Sequence, residues 1–402
     1  MRQVPRIVAL GAVLLSLVAC APAAPSPTAA PAKPAAAAAS EAKPEAAKPA
    51  AAQPAATGLE KARQDATARG YKFVASHDEI VEKAKQEGSL KGLSSADPKS
   101  IKALKEGFGQ KYPYIKLDLQ EITGREAMQR FVLEMKAGAA SDWDILHVSE
   151  EDFPEFKDQI EKIDLLGMAE QQVLQINPKM IYPEGRNLVG MASQVGAVTY
   201  NKQLVPANQV PKSWEDLLKP EFKGRKMLAE TRPNTLAGLA PAMGEEWVID
   251  FARKLAAQEP IWSRGNTRAL TAMAAGEYAL HSGTYFHSSM RAIQRGADNL
   301  AIAVLEPVSV RIALGTGIQK GAKNPNAAML FLEYYAGPDG QKILDEIEPL
   351  KGSIYFGPSA PAKLIEGKKV SVADWSWWPK MSGIEEKITQ AFGFPKAEVQ
   401  DN

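Results

Sequence analysis

Apolar residues along this chain recur at two periods, and the two alternate. Between 78 and 87, Ile80, Val81 and Ala84 share one face of a charged stretch, the spacing of an amphipathic helix, and Gly88 follows as a stop. A short run at 90–94 reads as a strand. Ser95 and Asp97 then offer caps to a helix over 98–112, with Pro98 at an early helical position and Ile101, Leu104 and Phe108 on one face; Pro113 breaks it. Alternation over 115–120 predicts a second strand. Thr123-Gly124-Arg125-Glu126 has the form of a capping box that opens a helix to 136, and a third strand falls at 144–148. The order β-α-β-α-β predicts a parallel sheet with helices on its faces.

The second half of the chain repeats this alternation with different content. Strands are expected at 196–201, 226–229, 278–282, 300–305 and 311–318. Helices are expected at 214–218, 235–243, 247–258, 266–275, 326–335, 341–346 and 382–392. Ser213 caps the first of these helices, while Pro220, Gly276 and Gly337-Pro338 act as stops.

The start of the chain carries a different signal. Arg2 and Arg6 precede an apolar stretch at 7–18 that is too short to span a bilayer comfortably, and small residues follow. Residues 1–19 are therefore expected to be a signal peptide. Leu17-Val18-Ala19-Cys20 resembles the lipobox of bacterial lipoproteins, in which the cysteine becomes the lipid-bearing N-terminus. Cys20 is the single cysteine of the 402 residues, so no disulfide framework is possible. Residues 20–57 are almost entirely Ala and Pro, lack large apolar groups to bury, and are expected to be a disordered tether. A helical lead-in is expected at 58–87.

Charge narrows the partners. The chain has 48 Lys and Arg against 47 Asp and Glu, so no basic excess exists to neutralise phosphates, and nucleic acid is not an expected partner. No Gly-x-Ser-x-Gly elbow, His-Glu-x-x-His or Cys-His pair occurs, which leaves a secreted hydrolase without its usual machinery. No catalytic residue and no cofactor is expected. His77 and His147 have no clustered partners in sequence, and Asp142 with Asp144 reads as a solvated or capping pair.

Three motifs resemble one family. Glu87-Gly88-Ser89-Leu90 through Tyr112-Pro113-Tyr114-Ile115 is similar to the opening of bacterial extracellular solute-binding proteins. Val210-Pro211-Lys212-Ser213-Trp214-Glu215-Asp216-Leu217-Leu218 with Phe222-Lys223-Gly224-Arg225 resembles it further, as does Ala322-Lys323-Asn324-Pro325-Asn326-Ala327-Ala328 with Gly337-Pro338-Asp339-Gly340-Gln341. The likeness is nearest to the branch that includes ferric-iron-binding periplasmic proteins. It implies an α/β, two-lobe periplasmic-binding-protein fold (type II), each lobe a mainly parallel sheet flanked by helices, joined by two crossover strands. The first lobe would take 88–192 with 307–349, the second 193–306 with 350–402. The implied role is an extracytoplasmic, membrane-anchored monomer that delivers a small ligand to an ABC transporter permease.

Loops that follow strands and open helices present free N–H groups to a ligand. The candidates are Ser94 and Ser95, Gly124 and Arg125, Thr231, and Asn266 with Thr267, each of which is also an ordinary helix start. Tyr285 is expected as a wall or hydrogen-bonding group, and Arg125 as the partner of an anionic group on an organic ligand. The resemblance also implies an iron alternative. Tyr285-Phe286-His287 falls where the iron-binding relatives carry adjacent tyrosines; Phe286 cannot ligate, which leaves Tyr285, His287 and Asp97 as the ligand set. Trp375-Ser376-Trp377-Trp378 is expected to pack between the C-terminal segment and the second lobe.

Overall fold

The computed structural model describes residues 53–393 except 123–124, 140–141, 151, 225 and 349; side chains are described from 58 onward, those of 125 and 126 excepted. The expected signal peptide, Cys20 and the tether up to residue 52 lie outside the described residues. The helix Gln53–Ala68 begins within the segment expected to be tether. Its alanines are strong helix formers, and Ala66 is buried. The helix His77–Glu87 starts where Ser76 accepts a hydrogen bond from Glu79 N–H, and it ends on Gly88 in the left-handed conformation at φ 64°.

Ten strands alternate with the helices among the described residues. They are β1 (Ser89–Ser94), β2 (Lys116–Glu121), β3 (Ile145–Val148), β4 (Leu188–Asn201), β5 (Met227–Glu230), β6 (Ile261–Ser263), β7 (Leu280–Tyr285), β8 (Leu300–Ala303), β9 (Val308–Ile318) and β10 (Val370–Ala373). β1 pairs in parallel with β2 and β3. β5 pairs in parallel with β6 and β7. Between these parallel groups run two long antiparallel strands. β4 pairs with β9 from Leu188↔Gly317 to Val195↔Val310, then continues beside β7 and β8 as far as Asn201. β9 also pairs with β3. Each sheet is thus mixed rather than simply parallel, because β4 and β9 cross between the two groups.

Side-chain burial follows the same division. One cluster gathers Ile80, Leu104, Phe108, Leu165, Phe331 and Tyr335 around β1 and the start of β4. Another gathers Trp214, Leu217, Phe251, Leu280, Met381 and Ile388 around β5 and β7. The family-like motifs have structural work to do here. Glu87 accepts from Asn326 N–H at 3.2 Å and Ala327 N–H at 2.7 Å, which stabilises the N-terminus of the helix Pro325–Ala336. Asp144 accepts from Lys91 N–H at 3.0 Å and Asn324 N–H at 2.9 Å, so it is a structural acceptor. Buried Trp214 donates Nε1–H to the Pro307 carbonyl at 3.1 Å and so pins the second group of strands to the crossing.

Two expectations need correction. The helix expected over 235–243 is two short pieces, Asn234–Ala237 and Ala240–Met243. Trp375 and Trp378 do not pack on the second lobe. They enter the cluster of Phe153, Phe156, Ile312 and Leu188, with Trp378 edge-on to Phe153 at 5.7 Å between ring centroids. Trp377, by contrast, packs on the Met381–Ile388 side. Beyond residue 350, Gly352 bridges to Ala192, and Ser353 N–H donates to Gln341 at 2.7 Å.

Candidate functional site

Parallel strands point their carboxyl ends one way, and that end is where a crevice can collect loops and helix starts. Here the carboxyl ends of β1 and β3 from one lobe meet the loop after β5 from the other, with the crossing strands as floor. A cavity of about 260 Å³ lies there. Ser95 enters it from the end of β1; His147, Ser149 and Glu150 from the end of β3; Gln194 and Arg311 from the crossing strands; Asn234 from beyond β5. Lys351 and Trp378 complete the wall. A larger cavity of about 670 Å³, lined by Tyr71, Tyr182 and Lys320 among others, sits at the opposite end of the β4–β9 pair, away from these strand ends. The smaller cavity is the candidate site on topological grounds.

Arg311 organises the floor. It is 4% exposed and paired with Glu150, and its Nη1 lies 3.0 Å from Glu385. With the Asn234 amide oriented to suit its neighbours, its oxygen accepts from Arg311 Nη1 at 2.8 Å. Burial works against the guanidinium charge, but Glu150 and Glu385 more than offset it and hold Arg311 charged. Among the described residues, its Nε–H has no partner, and neither does the Nε1–H of buried Trp378. The Trp378 ring occupies the space above Gly315, where a Cβ would come within 2.8 Å of the ring.

Lys351 is paired with Glu348, both nearly buried. Burial pushes His147 down to about 4, with the Lys351 charge acting the same way, so the imidazole is neutral at pH 7. His287 is driven well below its ordinary value by burial, then by Lys351 and Arg291.

Of the residues expected from sequence, Ser95 lines this cavity. Ser94 is buried one step back, accepting from Ala96 N–H at 3.2 Å. Gly124 lies outside the described residues, and Arg125 begins the helix Arg125–Lys136 with its side chain undescribed. The adjoining Gln120 to Ile122 border a separate cavity of about 310 Å³. Thr231 stands at the end of β5, its N–H donating to the Ser263 carbonyl at 2.9 Å. Asn266 and Thr267 open the helix Asn266–Ala274 beyond β6, the outermost strand of its lobe. Tyr285 ends β7 opposite Gly196, and its ring stacks on His287 at 5.5 Å. Burial pushes its phenol up to about 12; Arg311 pulls the other way and Glu385 adds to the rise. Asp97 caps the helix Pro98–Lys111, accepting from Lys99 N–H at 3.0 Å.

His147, Ser149, Glu150, Gln194, Asn234, Arg311, Lys351 and Trp378 were not among the expected site residues. One signal was present: His147-Val148-Ser149-Glu150 repeats the strand-to-polar switch of Leu93-Ser94-Ser95. Lys351 and Trp378 reach the cavity only through long-range folding.

Comparison with known proteins bears on the fold and the family. The Fe(3+)-binding periplasmic protein of Serratia marcescens is 23% identical over 201 residues, 48% of this chain and 58% of that protein. The chain therefore spans little more than half the length of that curated relative. Apo ferric ion-binding protein A of Pasteurella haemolytica aligns with TM-score 0.60 and 18% identity, covering 77% of this chain and 100% of its own. The substrate-binding protein of an ABC transporter from Agrobacterium tumefaciens aligns with TM-score 0.59 and 14% identity, over 77% and 96%. These neighbours have the two-lobe periplasmic-binding fold. The family described as "Bacterial extracellular solute-binding protein", a family of binding proteins and not of enzymes, matches residues 153–380, more than half of the chain. With its crevice at the strand ends of two α/β lobes, the chain belongs to that family of extracellular solute-binding proteins.

Proposed function

We propose that this protein captures a small anionic or polar organic solute in the crevice between its lobes and delivers it to the permease of an ABC importer. The observation that carries this reading is the cavity of about 260 Å³ walled by both lobes and by the crossing strands. A ligand that touches both lobes binds the closed arrangement better and draws the population toward it. The family places the chain outside the cytoplasm. Cys20 is proposed as the lipid-bearing residue that keeps it at a membrane, as a monomer.

Ferric iron is the second reading, favoured by the Fe(3+)-binding relative. The residues here suit it less well. Phe286 follows Tyr285, whose phenol is held neutral. Asp97 is engaged as a helix cap near Arg291. Among the described residues, no group of three or more His, Cys, Asp and Glu could hold a metal ion. Ferric iron wants several anionic oxygens.

A thermal-shift screen of purified protein against small organic solutes and ferric citrate tests the proposal. The expected outcome is stabilisation by an organic solute without turnover. Stabilisation by ferric citrate alone, with a visible charge-transfer band lost in Tyr285→Phe, would establish the iron reading instead.

A further inference from the structure

The cavity of about 670 Å³ lies apart from the crevice, and its size is that of a small-molecule site. Its floor is apolar, with Phe153 and Ile160 buried there. Two half-buried tyrosines join that floor. Tyr71 arrives from the lead-in that follows the helix Gln53–Ala68, and the adjoining Lys72 bridges to Ile163 and so fixes it to the lobe. Tyr182 comes from the segment before β4. Its ring is held by Phe153 and Trp375, with centroids at 5.2 and 5.6 Å. Burial raises the Tyr182 phenol, and Glu184 and Tyr71 add to the rise, so the hydroxyl stays protonated and can donate.

The turn that carries Tyr182 is held under strain. Arg186 is a non-glycine residue at φ 57°, and its N–H donates to the Tyr182 carbonyl at 2.7 Å. A backbone of that kind costs free energy and persists only where its surroundings over-determine it. Buried Asp164 does so here, accepting from Arg186 Nε at 2.8 Å. Gly185 runs against the Tyr182 ring, where a Cβ would come within 2.7 Å. Asn187, the next residue of the wall, donates to the Glu161 carbonyl at 2.9 Å, and the Glu161 carboxylate accepts from Gly321 N–H at 2.9 Å. The wall is therefore set before any ligand arrives, which lowers the cost of binding.

Lys157, Lys162 and Lys320 stand on the rim of this cavity, and they carry no ion pair among the described residues. Glu161 is already engaged by Lys72 at 3.3 Å. Asp158 shares the rim, so a bare anion gains little there, and the apolar floor asks for a ring as well. We infer that this cavity is a second binding site, for a small molecule that joins a flat ring to a carboxylate or phosphate group. The ring packs on Tyr71, Tyr182 and Phe153, where aromatic faces and edges add to the area buried. The anionic group faces the rim lysines, which give it charge-assisted hydrogen bonds.

The test is calorimetry of the full chain with benzoate, 4-hydroxybenzoate and adenosine monophosphate. Acetate and inorganic phosphate are the controls without a ring; benzamide and adenosine are the controls without the charge. At least one ring-bearing anion is expected to bind more tightly than its controls. Lys320→Gln should weaken that binding about three- to tenfold and Tyr71→Ala about tenfold. Lys320 is exposed, so its variant carries the test even if Tyr71→Ala fails to fold. No binding by any of the three probes, equal binding by a control, or unchanged affinity in either folded variant overturns the inference. Ser95→Trp obstructs the crevice and not this cavity: if it abolishes the binding, the probe sits in the crevice and the second site is rejected.

Discussion

Arg291 of the second lobe lies 3.9 Å from Asp97 of the first, and the same guanidinium lies 3.8 Å from buried Glu348. The helix that carries Arg291, Phe286–Gln294, follows β7, while Asp97 caps the helix that follows β1. The pair therefore spans the crevice and favours the closed arrangement. Both partners are about a quarter exposed, which limits the pair to about 0.5–1 kcal/mol. Arg291→Ala should leave the unfolding midpoint nearly unchanged and raise the ligand-free radius of gyration in small-angle scattering. An unchanged profile, or a change that does not fade with added salt, would remove Arg291 from the closure.

Gly315 and Trp378 offer a test of how the wall is built. A methyl on Gly315 would come within 2.8 Å of the Trp378 ring and 2.5 Å of the Val148 carbonyl oxygen. Gly315→Ala should therefore cost about 1–3 kcal/mol and displace the indole. Urea unfolding measures the first effect and tryptophan fluorescence the second. Equal stability would mean that the strand yields at no cost.

Arg311 is enclosed by Glu150 and Glu385. Arg311→Met removes the cation that Glu150 and Glu385 share, for an expected loss of about 3–5 kcal/mol. The double change Arg311→Met with Glu385→Leu should recover part of that loss. Chemical denaturation of the single and double variants reads the coupling.

Burial holds His147 and His281 near 4, against an ordinary value of 6.5. Both stay neutral in the fold while the unfolded chain takes up protons below 6.5. Stability present above pH 6.5 is therefore lost as pH falls toward 4, by about 1.4 kcal/mol per pH unit for each histidine. Urea unfolding at pH 7 and pH 5 should show this decline. His281→Asn should decline less, and an equal decline would assign the effect to other groups.

Cys20→Ala should release the protein into the soluble extracytoplasmic fraction with its fold intact. Retention at the membrane after a high-salt wash would reject lipid anchoring.

The amino-acid pattern alone determined the alternation of helices and strands, because periodicity and capping are local. The stops at Gly88 and Pro113, the face formed by Ile101, Leu104 and Phe108, and Ser95 at the end of β1 all follow from neighbours within a few residues. The length of β4 was not legible. Residues 188–195 look like a buried run until β9 supplies their partner more than a hundred residues away. Loops opening helices at Gly124 and Asn266 looked equivalent to that at Ser95, yet strand order puts β2 and β6 at the outer edges. Strand order depends on long-range pairing and leaves no local mark. Only the tertiary structure could bring Arg311, Lys351 and Trp378 together, because their proximity depends on the crossing strands and on the chain's return after residue 350.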